Sequence, residues 1–152
     1  MKRSRLLNAE LSHAIASMGH GDLMIVCDAG FPIPRDAWRI DLALVPDVPD
    51  LKTVLGAVAD AFIAEKVAYA DTLPEHNAPL LETVRGLFPD AEHGFETHED
   101  ILGGLAARAK CIVRTGAFDP WGNILLYSGV EVRDWFSKPG TVAPDYYADK
   151  LT

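Results

Sequence analysis

The sequence predicts a three-layer α/β/α domain, in which helices cover both faces of one sheet. Short apolar runs suited to strands alternate along the chain with amphipathic segments of helical period. The 152 residues, 49% hydrophobic and 24% charged, suffice for one domain of ordinary size with a substantial core. No internal repeat or linker divides the chain, so we expect a single globular unit.

Four elements are predicted in the first 62 residues. Asn8 can cap a first helix, and Leu23–Cys27 is a continuous apolar run typical of a buried strand. After a rigid Phe-Pro-Ile-Pro loop, residues 39–44 alternate with period two and predict a second strand, which Pro46 and Pro49 close. Asp50 begins a second helix, whose apolar residues recur at helical spacing: Leu51, Val54, Leu55, Val58 and Phe62.

The second half continues the alternation. Residues 66–70 predict a strand, and Asn77 caps a helix that ends before Pro89. Thr97 and Asp100 resemble a capping box, which predicts a helix from about residue 98 to about residue 108. Residues 111–113 and 124–127 are the last predicted strands, and the turn-rich segment 116–123 joins them.

Charge and hydropathy argue against several classes of partner. The net charge of −8 repels phosphate backbones and anionic lipid surfaces, so we expect neither a nucleic-acid nor a membrane partner. Binding to nucleic acid would need a local basic patch, and the only clear basic cluster is Lys2, Arg3 and Arg5. No apolar run approaches 18 residues, and polar residues interrupt the N-terminal segment, which argues against a signal peptide. Cys27 and Cys111 lie inside apolar runs and are expected to be buried free thiols in a reducing, cytoplasmic compartment.

The common catalytic and cofactor motifs do not occur. The five histidines and two cysteines have no metal-ligand spacing, and no nucleophile elbow, Walker A motif or dinucleotide fingerprint occurs. We therefore expect no metal and no cofactor.

Two places carry candidate chemistry. His20 lies between glycines before the first strand, and Asp28 follows that strand, where ligands gather in open α/β sheets. From spacing alone, Asp28 is slightly better explained as the cap of a turn and His20 as an exposed residue. The second place is the turn 119–123, where an aromatic ring and an amide are suited to a sugar, although an ordinary turn with a half-buried Trp121 would look the same.

At these positions the sequence resembles the RbsD/FucU family of ribose pyranases and fucose mutarotases. The resemblance covers about residues 6–130, and its pieces occur in the family's order. Several are closer to the ribose branch, whereas MGHGD and the Gly-Asn pair at 122–123 also look like the fucose branch. The matching pieces are LNAELS (7–12), MGHGD (18–22), VCDAGFPIP (26–34), RIDLAL (39–44), VLG (54–56), HNAPLLET (76–83), THE (97–99), RTG (114–116) and NILLYSGV (123–130).

The resemblance implies a fold, a site and an assembly. It implies an RbsD-like domain over residues 1–130 with a C-terminal extension over 131–152, and a decamer of two stacked pentameric rings with the sugar in clefts near subunit contacts. His20 matches the acid/base histidine of the family, which uses no cofactor or metal. The implied substrate-binding residues are Asp28, His98, Trp121, Gly122 and Asn123.

The implied activity is ring-form isomerisation of a monosaccharide. Opening a hemiacetal requires a base for the anomeric hydroxyl and an acid for the ring oxygen, and histidine suits both roles near neutral pH. D-Ribose pyranase is the first expectation, with His20 moving the proton and Asp28 orienting His20 or holding a hydroxyl. The alternatives are an L-fucose-type mutarotase, a non-catalytic sugar-binding module and a metal-dependent hydrolase using His20, Asp28 and His98.

The sequence departs from the family pattern in three places. Trp121 stands where the family usually has tyrosine, which keeps a stacking face but removes a hydroxyl. The stretch 89–96, which precedes the THE motif, is short compared with that of many relatives. Residues 131–152 extend past the usual end and are expected to form either a mobile extension or a strap whose aromatic residues pack on a neighbouring subunit.

Overall fold

A computed structural model describes residues 2–151 and contains one mixed six-stranded sheet. The spatial order is β2-β5-β1-β6-β3-β4. β6 is antiparallel to both of its neighbours, β1 and β3, whereas the β1–β5, β2–β5 and β3–β4 pairs are parallel. The strands are β1 (Leu23–Cys27), β2 (Arg39–Asp41), β3 (Ala64–Ala70), β4 (Glu92–Glu96), β5 (Cys111–Arg114) and β6 (Ile124–Ser128).

All four predicted helix caps are confirmed. The side-chain oxygens of Asn8, Asp50, Asn77 and Thr97 accept hydrogen bonds from backbone N–H groups three residues further on, at 2.8, 2.7, 3.3 and 3.1 Å. The helices are α1 (Ala9–Ala16), α2 (Leu51–Ala59), α3 (Leu73–His76), α4 (Ala78–Leu87), α5 (His98–Asp100), α6 (Ala106–Arg108), α7 (Val132–Trp135) and α8 (Ala148–Leu151).

The alternation of side chains along β1 produces the three layers. Met24 and Val26 point to one face, where they join a buried cluster with apolar residues of α1, α2 and α4. Ile25 and Cys27 point to the other face, where the cluster includes Ile101 from the 98–108 helical segment. The predicted α/β/α architecture is confirmed. No helix within residues 2–151 is long and apolar enough to cross a bilayer.

The structure corrects two of the predicted elements. The second strand stops at Asp41, because the chain turns through Pro46 and the Leu44 N–H donates to the Val48 carbonyl at 3.0 Å. The predicted helix after Thr97 is not uniformly α-helical, since a π-helical turn spans Ile101–Leu105 between α5 and α6.

One strand, β4, has no counterpart among the predicted elements. β4 lies at the sheet edge with its residues exposed or half-buried, so it has neither an apolar run nor a clean alternation.

The two cysteines are buried free thiols, as predicted. Burial raises the pKa of both Cys27 and Cys111 to about 12, so neither forms a reactive thiolate at neutral pH.

The C-terminal segment contains α7, a 3₁₀ turn (Asp145–Tyr147) and α8. Val132 is buried and attaches this segment to the domain. The division of the chain at residue 130 and a contact of this segment with a neighbouring subunit stay predictions.

Candidate functional site

Two residues predicted at the site meet at the carboxyl end of β1. Asp28 directly follows this strand, and Asn123 directly precedes β6. Because β6 runs antiparallel to β1, its start lies beside the end of β1. The Asp28 N–H donates to Asn123 Oδ1 at 3.4 Å, and Asn123 is only 5% exposed. A nearly buried amide is thereby placed next to a carboxylate.

Opposing effects act on the pKa of the Asp28 carboxyl group. Burial raises its pKa, while hydrogen bonds from the Gly30 and Phe31 N–H groups, the Asn123 side chain and the nearby charge of His98 act to lower it. The Gly30 bond to Oδ1 is 2.7 Å long. The structure therefore joins Asp28 and Asn123. His98 acts on Asp28 only through its charge, and a direct role of His98 in the site stays a prediction.

The turn before β6 explains the glycine between Trp121 and Asn123. Trp121 adopts a left-handed φ of 56°, and the Gly122 N–H donates to the Asp119 carbonyl at 3.0 Å. A Cβ on Gly122 would lie 2.8 Å from the Asp119 carbonyl oxygen and 3.3 Å from Leu51 Cδ2. Packing alone thus requires glycine here, and a contact of Gly122 with substrate stays a prediction.

Trp121 has an aromatic partner that sequence analysis missed. The His76 imidazole stacks on its indole, with ring centroids 4.4 Å apart and planes inclined by 14°. Next to it, Asn77 Nδ2 donates to the Pro120 carbonyl at 3.1 Å, which ties the α3–α4 junction to the turn. One face of Trp121 is therefore covered, which narrows the predicted role of this ring as a stacking platform. The only sequence signal for His76 is its place in the HNAPLLET segment.

His20 lies at the opposite end of β1. Five residues in a strand span about 16 Å, so one chain does not bring His20 to Asp28. The carboxylate that pairs with His20 is Glu65 of β3, with Nε2 and Oε2 2.8 Å apart. Of the two roles expected for Asp28, orienting His20 is therefore not possible within one chain, whereas holding a sugar hydroxyl is.

The loop that carries His20 is fixed by an ion pair. Asp22 Oδ2 accepts a 2.5 Å hydrogen bond from Lys110 Nζ and a 2.7 Å bond from the Gly19 N–H. These two bonds, the one from Lys110 first, lower the pKa of Asp22. The Gly21 N–H also donates to the Ser128 carbonyl at 2.8 Å, which anchors the loop to the end of β6.

Among residues 2–151, no three His, Cys, Asp or Glu side chains form a group able to hold a metal ion. The combination of His20, Asp28 and His98 that a metal-dependent hydrolase would need is not assembled in one chain.

Comparison with known proteins identifies the family. The family model described as the RbsD / FucU transport protein family matches residues 1–131. "D-ribose pyranase 2" of Rubrobacter xylanophilus is 56% identical over 99% of this chain and 97% of its own length. "D-ribose pyranase 1" of Streptomyces griseus subsp. griseus is 53% identical over 99% of this chain and 100% of its own length.

A solved structure agrees with these relatives. Bacillus subtilis RbsD complexed with D-ribose superposes with a TM-score of 0.80 and 33% sequence identity, covering 86% of this chain and 98% of its own. The family match, the two relatives and this structure agree with the resemblance carried by the motifs. The chain therefore belongs to the RbsD/FucU family.

Proposed function

We propose that this chain is a D-ribose pyranase, which converts the β-pyranose form of ribose to the β-furanose form. The observation that carries the proposal is the contact of Asp28 with the nearly buried Asn123 amide at the carboxyl end of β1. Relatives more than half identical to the chain bear this name, and a structural neighbour holds D-ribose.

The proposed reaction moves only protons and one C–O bond. A base takes the anomeric hydroxyl proton, the C1–O5 bond breaks as an acid protonates the ring oxygen, and the open aldehyde recloses through the 4-hydroxyl. Asp28 and Asn123 hold hydroxyl groups, and His98 accepts or donates a further hydrogen bond. This route requires no cofactor.

We assign the proton transfer to His20 and infer that a neighbouring subunit supplies it. Because about 16 Å of β1 separates His20 from Asp28 within a chain, a sugar that touches Asp28 meets His20 only if a second copy brings it. A decamer of two stacked pentamers, as the family resemblance implies, provides such contacts. The proposed location is the cytoplasm, since the chain carries two free thiols.

Saturation-transfer NMR on equilibrated D-ribose, with and without protein, tests the proposal. Faster pyranose–furanose exchange is the expected result. The matched experiment on L-fucose tests the mutarotase alternative. Accelerated anomer exchange on fucose alone would overturn the ribose assignment, and tight sugar binding without any exchange would favour a binding module.

A further inference from the structure

The His20–Glu65 pair is built by a local irregularity of the sheet. The register between β3 and β6 shifts between Ala64 and Lys66, which places Glu65 at a β-bulge. Bulges re-aim side chains and occur beside active sites. Gly129 provides the room, because a Cβ at this position would lie 3.0 Å from Glu65 Cβ and 3.3 Å from the Glu65 nitrogen. The fold thus directs a carboxylate to His20.

This contact determines which ring nitrogen is free. A carboxylate only accepts hydrogen bonds, so a neutral His20 paired with Glu65 must carry its proton on Nε2. Nδ1 is then left as the acceptor. The Glu65 side chain is 29% exposed, so water screens the pair only in part.

The C-terminal segment reaches the same carboxylate. Lys150 Nζ lies 3.8 Å from Glu65 Oε2, and the Lys150 carbonyl accepts from Arg133 Nε at 3.4 Å. The hollow between this segment and the domain is also lined by the charged residues Asp90, Glu131, Asp134 and Asp149. Lys150 lies outside residues 1–131, which the family model matches.

We propose that Glu65 is the positioning residue of His20, and that Lys150 of the C-terminal segment holds Glu65 in place. Glu65 keeps the imidazole in the Nε2–H tautomer, so that Nδ1 exchanges the proton with the sugar. Lys150 restrains the carboxylate through attraction to the same Oε2. This inference rests on the proposed function for its catalytic consequence, whereas the tautomer is a property of the protein without sugar.

The first test is spectroscopic. Protein labelled with ¹⁵N-histidine is studied by magic-angle-spinning NMR without sugar, and the His20 signals are assigned by their loss in His20→Ala. The expected neutral form carries its proton on Nε2, and Glu65→Gln is expected to increase the Nδ1–H population. A neutral His20 protonated on Nδ1 in the unmodified protein would overturn the proposal, whether or not ribose is the substrate.

The second test is kinetic. Glu65→Gln is expected to lower kcat for ribose exchange about 10–100-fold with KM changed less than about threefold, because the base is misoriented while the binding end is intact. The matched control is Glu82→Gln, which neutralises an exposed glutamate on α4. Glu65→Asp keeps the charge and should recover part of kcat. An unchanged kcat in folded Glu65→Gln would refute the role.

Lys150→Met should lower kcat about two- to fivefold, since a half-exposed ion pair is weak. Lys138→Met, which removes a lysine from the same segment, is the control and should leave kcat unchanged. Equal rates for the two variants would remove Lys150 from the proposal. An unmodified protein without ribose exchange would instead refute the proposed function and leave the tautomer result to stand alone.

Discussion

The two ends of β1 are built in different ways. At the carboxyl end, Asp28 is half-buried against the nearly buried Asn123, and burial raises its pKa. At the amino end, His20 is 41% exposed, and Lys110 holds the pKa of Asp22 below its usual range. The carboxyl end is a shielded set of hydrogen-bonding groups, whereas the amino end is an open, ion-paired surface. Under the proposed function, the reaction requires both ends, because Asp28 holds the sugar and His20 moves the proton.

The largest expected effect is the loss of ribose exchange when either end is altered. Mixing the altered subunits then tests whether the two ends act together. His20→Ala and Asp28→Ala should each lose ribose exchange, with His20→Ala falling about 10²–10⁴-fold, the contribution of one positioned acid/base group. Co-assembled at equal amounts, the two variants should restore about one quarter of the sites, since a composite site then draws each intact residue at random. The measurement is saturation transfer per mole of oligomer.

A mixture as inactive as its parents would show that the site does not combine residues of two chains. Circular dichroism and gel filtration of each variant serve as controls for folding and assembly.

Gly122→Ala, at the carboxyl end of β1, should lower the free energy of unfolding by about 1–3 kcal/mol, because the new Cβ overlaps the Asp119 carbonyl and crowds Leu51. Gly86→Ala is the matched control: Gly86 lies in α4 with open space around its Cβ position, so alanine there should be neutral or stabilising by up to about 1 kcal/mol. Urea unfolding measures both. A free energy of unfolding unchanged in Gly122→Ala would contradict the tight turn.

The two ends should respond to pH with opposite signs. A raised native pKa at Asp28 means that the native state binds the proton more tightly than the unfolded chain does. The stabilisation is therefore complete below about pH 3.9, the ordinary aspartate value, and is lost as pH rises through the native pKa. Asp28→Asn should thus gain stability relative to the unmodified protein between about pH 4 and 7.

Asp22 should behave in the opposite way, because its native pKa is lowered. Its stabilisation is present above about pH 3.9 and is lost as pH falls through the native value, so Asp22→Asn should be less stable at pH 7 but not in acid. Urea unfolding at several pH values measures both variants. Changes of the same sign in the free energy of unfolding of Asp28→Asn and Asp22→Asn at pH 7 would refute the electrostatic contrast.

The smallest expected effect concerns the His76 stack on Trp121. His76→Ala should raise KM for ribose about two- to fivefold with little change in kcat, because the indole loses a contact worth about 0.5–1.5 kcal/mol and moves more freely. The matched control is His13→Ala, since His13 contacts Trp38 edge-on with centroids 5.3 Å apart. An equal KM in the two variants would assign His76 a role in packing only.

The fold was predictable wherever burial produces a local pattern. The all-buried β1 and the capped α2 and α4 match the sequence predictions closely, because apolar runs, helical period and cap residues are local signals. β4 was missed because an exposed edge strand carries no such signal. The predicted strand 39–44 was too long. The alternation of polar and apolar residues continues to residue 44, whereas the strand ends at Asp41 and the Leu44 N–H donates to the Val48 carbonyl in a turn.

The candidate site divides in the same way. Motif resemblance marked His20, Asp28, His98 and Asn123 as candidates, since residue types at fixed offsets can be recognised in one sequence. Glu65 and His76 lie 45 residues from their respective partners, and no spacing rule links them.

The sequence by itself determined the α/β/α class, most of the elements, the buried thiols and the family, because each depends on neighbouring residues or on matching segments. Only the tertiary structure decided that Asp28 meets Asn123 and that His20 pairs with Glu65. Strand order, strand direction and the bulge at Glu65 set these pairings. They follow from contacts between residues far apart in the chain, for which a single sequence carries no local signal.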